Sequence, residues 1–552
     1  MTLQYKKQKS SWLVWALVPV AVLVALPVLA VLFAALQWDA ASADIVWQMA
    51  QTVLPTYIGS TLLLCLMVAF GSTALGLGAA LMVTLCDFKG RAAWEWLLLL
   101  PLAMPAYVSA YAYTDFLQYG GPAQEWLRLT FNLEGRVLPE VRSLWGAALM
   151  FSVTLYPYVY LLARAALLER AAHLIEAARL LGASLPRRLW RVALPLTRPA
   201  VAAGMALALM ETLADFGVSS YFGIQTFTAG IYKAWLVMDD RMAAVQLATV
   251  LLASVGFLLW LERRAQSRIR FAPNSSARSN SLEARALQLQ GWRAGAVHAL
   301  CALPVLLGFI LPVAMMLRPF IQGLESEQAV PWAQFGQWAL NSVQLAGVAA
   351  VLALAFALAL ASVARLRPGR LVQALLQVTG LGYAVPGAVI VVGLLLPLGA
   401  LQAWQPDWGV AAWVTTTIVG IVWAYLVRFT AVALQSVQSG YARIPQSHDD
   451  AARTLGVHGL RLFKSVHLPL LRRPVFAALL LVFVDIMKEL PATLVLRPFN
   501  YDTLAVVAYQ LARDERLSEA ALPSLALVLV GLIPVILLSR SLRGDKAEER
   551  PL

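Results

Sequence analysis

Four carboxylates interrupt stretches of sequence that are otherwise apolar. Glu211 and Asp215 stand four residues apart, and Asp485 and Glu489 repeat that spacing 274 residues later. Residues four apart share one face of a helix, so each pair offers two oxygen-bearing groups on one side. Carboxylates are hard ligands suited to a small, highly charged cation. An ionisable group inside a membrane segment is also costly enough to mark a pathway, a proton relay or an ion pair. Three chemistries are open for these acids. They line a transient substrate path, they couple to protons, or they hold the bundle together by pairing with Lys488 or Arg428 and capping helices broken near Gly217 and Pro491. Tyr107, Tyr111 and Tyr113 add phenolic oxygens near one mouth, or serve as interfacial anchors.

The surroundings of these residues decide the class of protein. The chain has 552 residues, 60% of them apolar and 13% charged, with a mean hydropathy of +0.71; soluble domains are roughly 45–50% apolar and about 25% charged. An ordinary soluble enzyme is excluded. Runs such as 345–364 are apolar on every side, whereas a membrane β-barrel shows segments of alternating polarity. The expected architecture is therefore an all-α polytopic membrane protein. A helical crossing takes roughly 20 apolar residues, and twelve stretches qualify: 12–36, 57–85, 94–114, 144–168, 199–219, 243–261, 295–317, 338–364, 371–400, 410–438, 473–495 and 520–538. The first is too long for the apolar core of a signal peptide and is expected to stay as a helix.

Charge orients these spans. With the N-terminus inside, 31 of the 43 Lys and Arg fall in inner segments and 9 in outer loops. The bias places both termini in the cytoplasm. It also accounts for the net charge of +13 without nucleic acid as a partner. Cys65, Cys86 and Cys301 sit in or beside apolar segments, with no zinc spacing. The five histidines show no metal-ligand pattern, and His173, His448, His458 and His467 are expected to lie on loop surfaces.

One duplication organises the whole chain. Glu176-Ala-Ala-Arg-Leu-Leu-Gly182 returns as Asp450-Ala-Ala-Arg-Thr-Leu-Gly456, and Leu194-Pro195-Leu196 returns as Leu468-Pro469-Leu470, at the same offset as the acids. Met104-Pro105-Ala106 aligns with Val385-Pro386-Gly387, where the prolines are expected to break or kink their spans. Each copy holds six spans, so both enter the membrane with the same polarity, unlike the inverted repeats of many secondary transporters. The copies are 1–261 and 295–552, joined by an Arg-rich cytoplasmic linker at 262–294.

In each copy the fourth and fifth spans are joined by an inner loop, 169–198 and 439–473, with an acid-Ala-Ala-x-x-x-Gly start and a Leu-Pro finish thirteen residues after the Gly. Paired alanines allow close helix approach, and Gly182 and Gly456 suit a left-handed helix end. Pro195 and Pro469 are expected to stop the second short helix before the chain re-enters the membrane. This pattern, found twice, resembles the EAA loop of inner-membrane permeases of binding-protein-dependent ABC importers. The resemblance implies that Glu176, Ala177, Ala178 and Gly182, with Asp450, Ala451, Ala452 and Gly456, dock onto two copies of an ABC ATPase subunit. The second copy departs from the pattern in starting with Asp450, a shorter carboxylate than Glu.

The chain has no Gly-Lys pair, hence no phosphate-binding loop of its own. ATP and Mg belong to the ATPase partners, no cofactor is expected on this chain, and no metal is expected to be held stably. Leu100-Pro-Leu-Ala-Met-Pro-Ala-Tyr-Val-Ser-Ala-Tyr-Ala-Tyr-Thr-Asp115, Glu211-Thr-Leu-Ala-Asp-Phe-Gly217 and Met487-Lys-Glu-Leu-Pro-Ala-Thr493 resemble the fused permeases of ferric-iron ABC importers over nearly the whole chain. That resemblance implies Fe(III) as cargo, delivered by a periplasmic binding protein to a non-catalytic permease in the bacterial inner membrane. Permeases for thiamine, polyamines, sulfate or phosphonates share the layout and stay as alternatives. A proton-coupled secondary transporter using the four acids is the rival of another class.

Overall fold

The computed structural model describes residues 12–37, 40–168, 172–270, 287–325, 332–547. The N-terminal lysines, the start of the 169–198 loop and the middle of the 262–294 linker lie outside the described residues. Among those described, the only strands are Cys86–Asp87 and Leu287–Gln288, paired in parallel. Everything else regular is helical. In lipid every backbone group must find its partner within the protein, and a helix does this locally.

Among the described residues, ten helices are long and apolar enough to cross a membrane, or eleven if one bent pair counts as a single crossing. Two of the twelve expected spans, 94–114 and 473–495, have no helix among these ten. The 94–114 stretch is bent by 86° between Arg91–Ala103 and Ala106–Phe131. The helix Leu468–Met487 carries Arg472, Arg473 and Asp485 and then breaks before a short helix, Pro491–Leu496. The bend has a local cause. A residue before proline is pushed into extended backbone, and Met104 (ψ 117°) before Pro105 and Val385 (ψ 120°) before Pro386 both follow short 3₁₀ turns. Tyr156 and Tyr160 donate to the carbonyls of Leu98 (2.8 Å) and Glu95 (3.2 Å) beside the first break.

The chain packs as two units that cut across the repeats. One comprises 1–37 with 340–501, the other 38–339 with 502–552. In the first unit the helix Trp12–Leu36 lies against Gly387–Trp404, a segment of the second repeat. A Cβ on Gly393 would fall 2.0 Å from the Pro27 carbonyl oxygen, so only glycine permits this approach. Pro27 has no N–H and leaves the Leu23 carbonyl without its helical donor. The Trp423 indole donates to that carbonyl at 2.8 Å. Trp423→Phe is expected to lower stability by about 1–3 kcal/mol, the cost of an orphaned carbonyl; an unchanged melting temperature in detergent would contradict this.

In the second unit the helix Leu54–Leu85 buries Leu64, Val68, Ser72, Gly76 and Ala80, a four-residue stripe, and turns Leu62, Leu66 and Phe70 outward. The stripe faces Leu144–Ala166, where a Cβ on Gly76 would come 2.7 Å from the Tyr156 carbonyl oxygen. Leu194–Ala214 meets the same helix through Gly204, whose Cβ would lie 2.7 Å from Val159 Cα. Small residues thus set the helix separations, as expected where lipid supplies no hydrophobic drive between helices.

Candidate functional site: two capped breaks and two cytoplasmic-motif loops

Each expected acid pair lies at the end of a broken helix, and each is described within its own unit. Leu194–Ala214 ends at Ala214, and Asp215 is extended (ψ 136°). Its Oδ2 accepts hydrogen bonds from the backbone N–H groups of Val218 (2.9 Å) and Ser219 (3.2 Å), capping the five-residue helix Gly217–Tyr221. Glu489 stands at the matching position of the other copy. Its Oε1 accepts from Ala492 N–H and its Oε2 from Thr493 N–H, both at 3.0 Å. The Thr493 hydroxyl adds a 2.7 Å bond to Oε2, and Arg428 Nη1 lies 3.5 Å from Oε1.

The break itself frees these N–H groups, because a helix start has no intrahelical acceptors for them. A carboxylate supplies acceptors and complements the positive end of the helix dipole. Glu211 and Asp485 lie one turn earlier, where the charge of Glu211 acts on Asp215 and that of Asp485 on Lys488. A Cβ on Gly387 would sit 3.0 Å from Glu489 Oε1 and 2.9 Å from Pro491 Cβ, so the Pro386 break abuts the Glu489 break.

Of the three tyrosines, Tyr113 donates to the Leu307 carbonyl at 2.7 Å. Tyr111 is buried with its ring 5.7 Å from Tyr107 and 4.7 Å from Tyr221. The sequence reading missed Tyr221 and Tyr509. Tyr221 accepts from Arg142 (3.3 Å), and the Tyr509 hydroxyl pairs with Ser220 at 2.7 Å. Both tyrosines come from outside the motif-bearing segments, so no local spacing announces them.

The two loops close in the same way. The first loop helix is Ala172–Leu180 and the second Gln446–Thr454. Gly182 (φ 78°) and Gly456 (φ 77°) take the left-handed conformation. Around them Ala183 N–H donates to Ala178 and Val457 N–H to Ala452, each at 2.9 Å, while Gly182 N–H reaches Arg179 (2.9 Å) and Gly456 N–H reaches Arg453 (3.0 Å). This double closure satisfies the last carbonyls of a helix. Beside each glycine a leucine points into solvent: Leu181 is 88% exposed and Leu455 82%. Ala177 and Ala451 are exposed, Ala452 is buried, and Asp450 pairs with Arg453 at 3.3 Å.

Two expectations are corrected here. Pro195 and Pro469 do not stop a helix. π turns at Leu189–Ala193 and Phe463–His467 run straight into Leu194–Ala214 and Leu468–Met487. Each proline then falls in the first turn of the next helix, where an N–H is dispensable. Nor is His467 a surface residue. It is fully buried, its Nε2 3.0 Å from Asp449 Oδ1 and its Nδ1 3.3 Å from the Tyr441 hydroxyl. Arg365 Nε donates to Asp449 Oδ2 at 2.9 Å.

Burial pushes the Asp449 carboxyl up, but Arg365 and His467 outweigh it and hold the carboxyl below its usual value. A depressed folded value means that the stabilisation is complete above the unfolded value, about 3.9, and disappears as pH falls through the folded one. The melting-temperature gap between wild type and Asp449→Asn is therefore expected to be constant from pH 7 to about 5 and to close below about 4. A gap independent of pH would contradict this.

The model of the family described as binding-protein-dependent transport system inner membrane component matches residues 7–270 and 353–543. The chain belongs to this family. It is a multi-pass inner-membrane protein, a fused ABC-importer permease with a duplicated domain. It is 26% identical over 487 residues to the Fe(3+)-transport system permease protein FbpB 2 of Haemophilus influenzae, covering 88% of this chain and 89% of that one. Shorter permeases match about one copy. The molybdenum transport system permease protein ModB of Escherichia coli is 28% identical over 36% of this chain and 88% of its own. The sulfate transport system permease protein CysT of the same species is 28% identical over 38% and 75%. Permeases of this family are membrane subunits of transport systems, and the relative named for Fe(3+) transport matches over most of this chain.

Proposed function

We propose that this permease forms the translocation path of an ATP-driven importer of ferric iron, with twelve membrane crossings and both termini in the cytoplasm. Two copies of an ABC ATPase, which bind the ATP and Mg, dock on the two loops through Glu176, Ala177, Ala178 and Gly182 and through Asp450, Ala451, Ala452 and Gly456. A periplasmic binding protein delivers the cargo. What carries the reading is the recurrence of one loop closure in two copies, each with a left-handed glycine beside a solvent-facing leucine. An apolar side chain held out in water on a short rigid helix suits insertion into a partner's groove.

Iron is favoured by the relative named for Fe(3+) transport, which matches both copies, whereas those named for molybdenum and sulfate match about one. Along the path, Asp215 and Glu489 hold the breaks, and Glu211 and Asp485, one turn earlier, add hard oxygen ligands for a cation in transit. The test is purification of the tagged chain in mild detergent with its partners, followed by an ATPase assay. The expected result is about two P-loop ATPases per chain, one for each loop, with hydrolysis stimulated by ferric-loaded binding protein. Stimulation by molybdate- or sulfate-loaded binding protein instead would reassign the cargo. Uptake by the chain alone on a proton gradient would replace the importer with a secondary transporter.

A further inference from the structure

The two loops differ in what lies beneath them. Under the second loop helix runs a buried polar chain. Arg365, near the end of Trp332–Leu366, bonds Asp449 through Nε at 2.9 Å and the Ile444 carbonyl through Nη2 at 2.9 Å. Asp449, on the loop helix itself, bonds His467 of the π turn at 3.0 Å. His467 contacts Tyr441 edge-on, with ring centroids 5.2 Å apart, and its Nδ1 lies 3.3 Å from the Tyr441 hydroxyl. That hydroxyl pairs with Ser362 at 2.9 Å, back on Trp332–Leu366. The chain thus closes on the helix where it began, joining four elements. The groups facing His467 are Asp449 from the loop helix and Tyr441 from Ile418–Ala442, with Arg365 behind Asp449.

At the duplication offset, Asp449, His467 and Tyr441 correspond to Ile175, Ala193 and Leu167. At these three positions the first copy has apolar residues, of which Leu167 and Ala193 are buried in an apolar core. A largely buried network built around the Arg365–Asp449 ion pair fixes one arrangement, because displacement separates the ions from each other. Apolar packing has no such penalty for a small slide.

We propose that Arg365, Asp449, His467 and Tyr441 are positioning residues that clamp the second loop helix to the ends of Trp332–Leu366 and Ile418–Ala442, so that this loop passes ATPase motion to those two helices as one rigid body, whereas the first copy lacks the Asp, His and Tyr of this clamp at the corresponding positions. The inference rests on the reading that the loops meet ATPase subunits. It makes the two ATPase contacts mechanically unequal, independently of the Asp450 substitution.

The test uses the complete permease–ATPase complex in proteoliposomes and reads solute transported per ATP hydrolysed. Asp449→Asn, which keeps the side-chain shape and removes the charge, is expected to lower that ratio about two- to thirtyfold, the range for residues on a coupling route, while ATPase still co-purifies at the wild-type level. Asp449→Glu is expected to restore part of the ratio, which a purely steric role would not allow. Tyr441→Phe removes one hydroxyl and decides the matter if Asp449→Asn fails to fold; it is expected to lower the ratio at the small end of the same range. A wild-type ratio in the folded variants overturns the clamp. Loss of ATPase capture in proportion to loss of transport also overturns it, since that marks a docking contact. Failure of the underlying reading looks different: the wild-type chain captures no ATPase at all, and the clamp falls with it.

Discussion

Valine in place of Gly182 or Gly456 is expected to lower uptake by about five- to thirtyfold while leaving the chain in the membrane. Both glycines hold φ near +78°, a conformation that costs a residue with a Cβ roughly 1–2 kcal/mol, more for a β-branched one. No neighbouring atom lies within 4 Å of where either Cβ would be, so the substitution strains the backbone without displacing a neighbour. The folded bundle should survive. The two closing hydrogen bonds at each loop tip would be lost or lengthened, and Leu181 or Leu455 would be re-aimed. A strain of that size removes the native loop conformation by about five- to thirtyfold. Transport in vesicles and the chain's level in membranes check this together, and wild-type transport in both variants would remove the loops from the mechanism. Reversal of charge at Glu176 is expected to have the same phenotype.

The second large effect is expected at Glu489. This carboxylate accepts from two backbone N–H groups and a threonine hydroxyl and faces Arg428, with its side chain 2% exposed. Glu489→Ala would leave a nearly buried guanidinium without its anion and a helix start without its cap, a loss of about 3–5 kcal/mol. Asp215→Ala removes only a cap of the ordinary kind, worth about 0.5–2 kcal/mol. Thermal unfolding in detergent should rank the two in that order by a wide margin. Equal losses would mean that Arg428 contributes little to the break, and the reverse order would contradict the capping geometry.

Much of the architecture was legible because membrane insertion makes local sequence informative. Long apolar runs and a repeat whose motifs recur in the same order need no knowledge of tertiary contacts. Gly182 and Gly456 were legible for the same reason: the requirement for a positive φ is satisfied within the loop. What escaped was set by distant partners. His467 reads as a loop histidine until Asp449, Arg365 and Tyr441 are brought around it, and nothing in its neighbours carries that information. Pro195 and Pro469 read as helix stops because the π turns before them are an adjustment of backbone hydrogen bonding, not a composition. The acids were legible as a duplicated set. Capping of breaks near Gly217 and Pro491 was one of three open readings, and the position of each break makes Asp215 and Glu489 the caps.

The helix Trp12–Leu36 carries a consequence for how the chain is made. Its carbonyl at Leu23 is satisfied by Trp423, 400 residues further along. At about 5–20 residues per second, roughly 20–80 s of synthesis separate the two. During that interval the Leu23 carbonyl lacks its indole donor, and Gly393, which admits the close approach of Pro27, is not yet made. Trp12–Leu36 can therefore complete its packing only after Gly393 and Trp423 have been made, and a chain cut in the 262–294 linker would leave each fragment lacking helices that belong to its own packing unit.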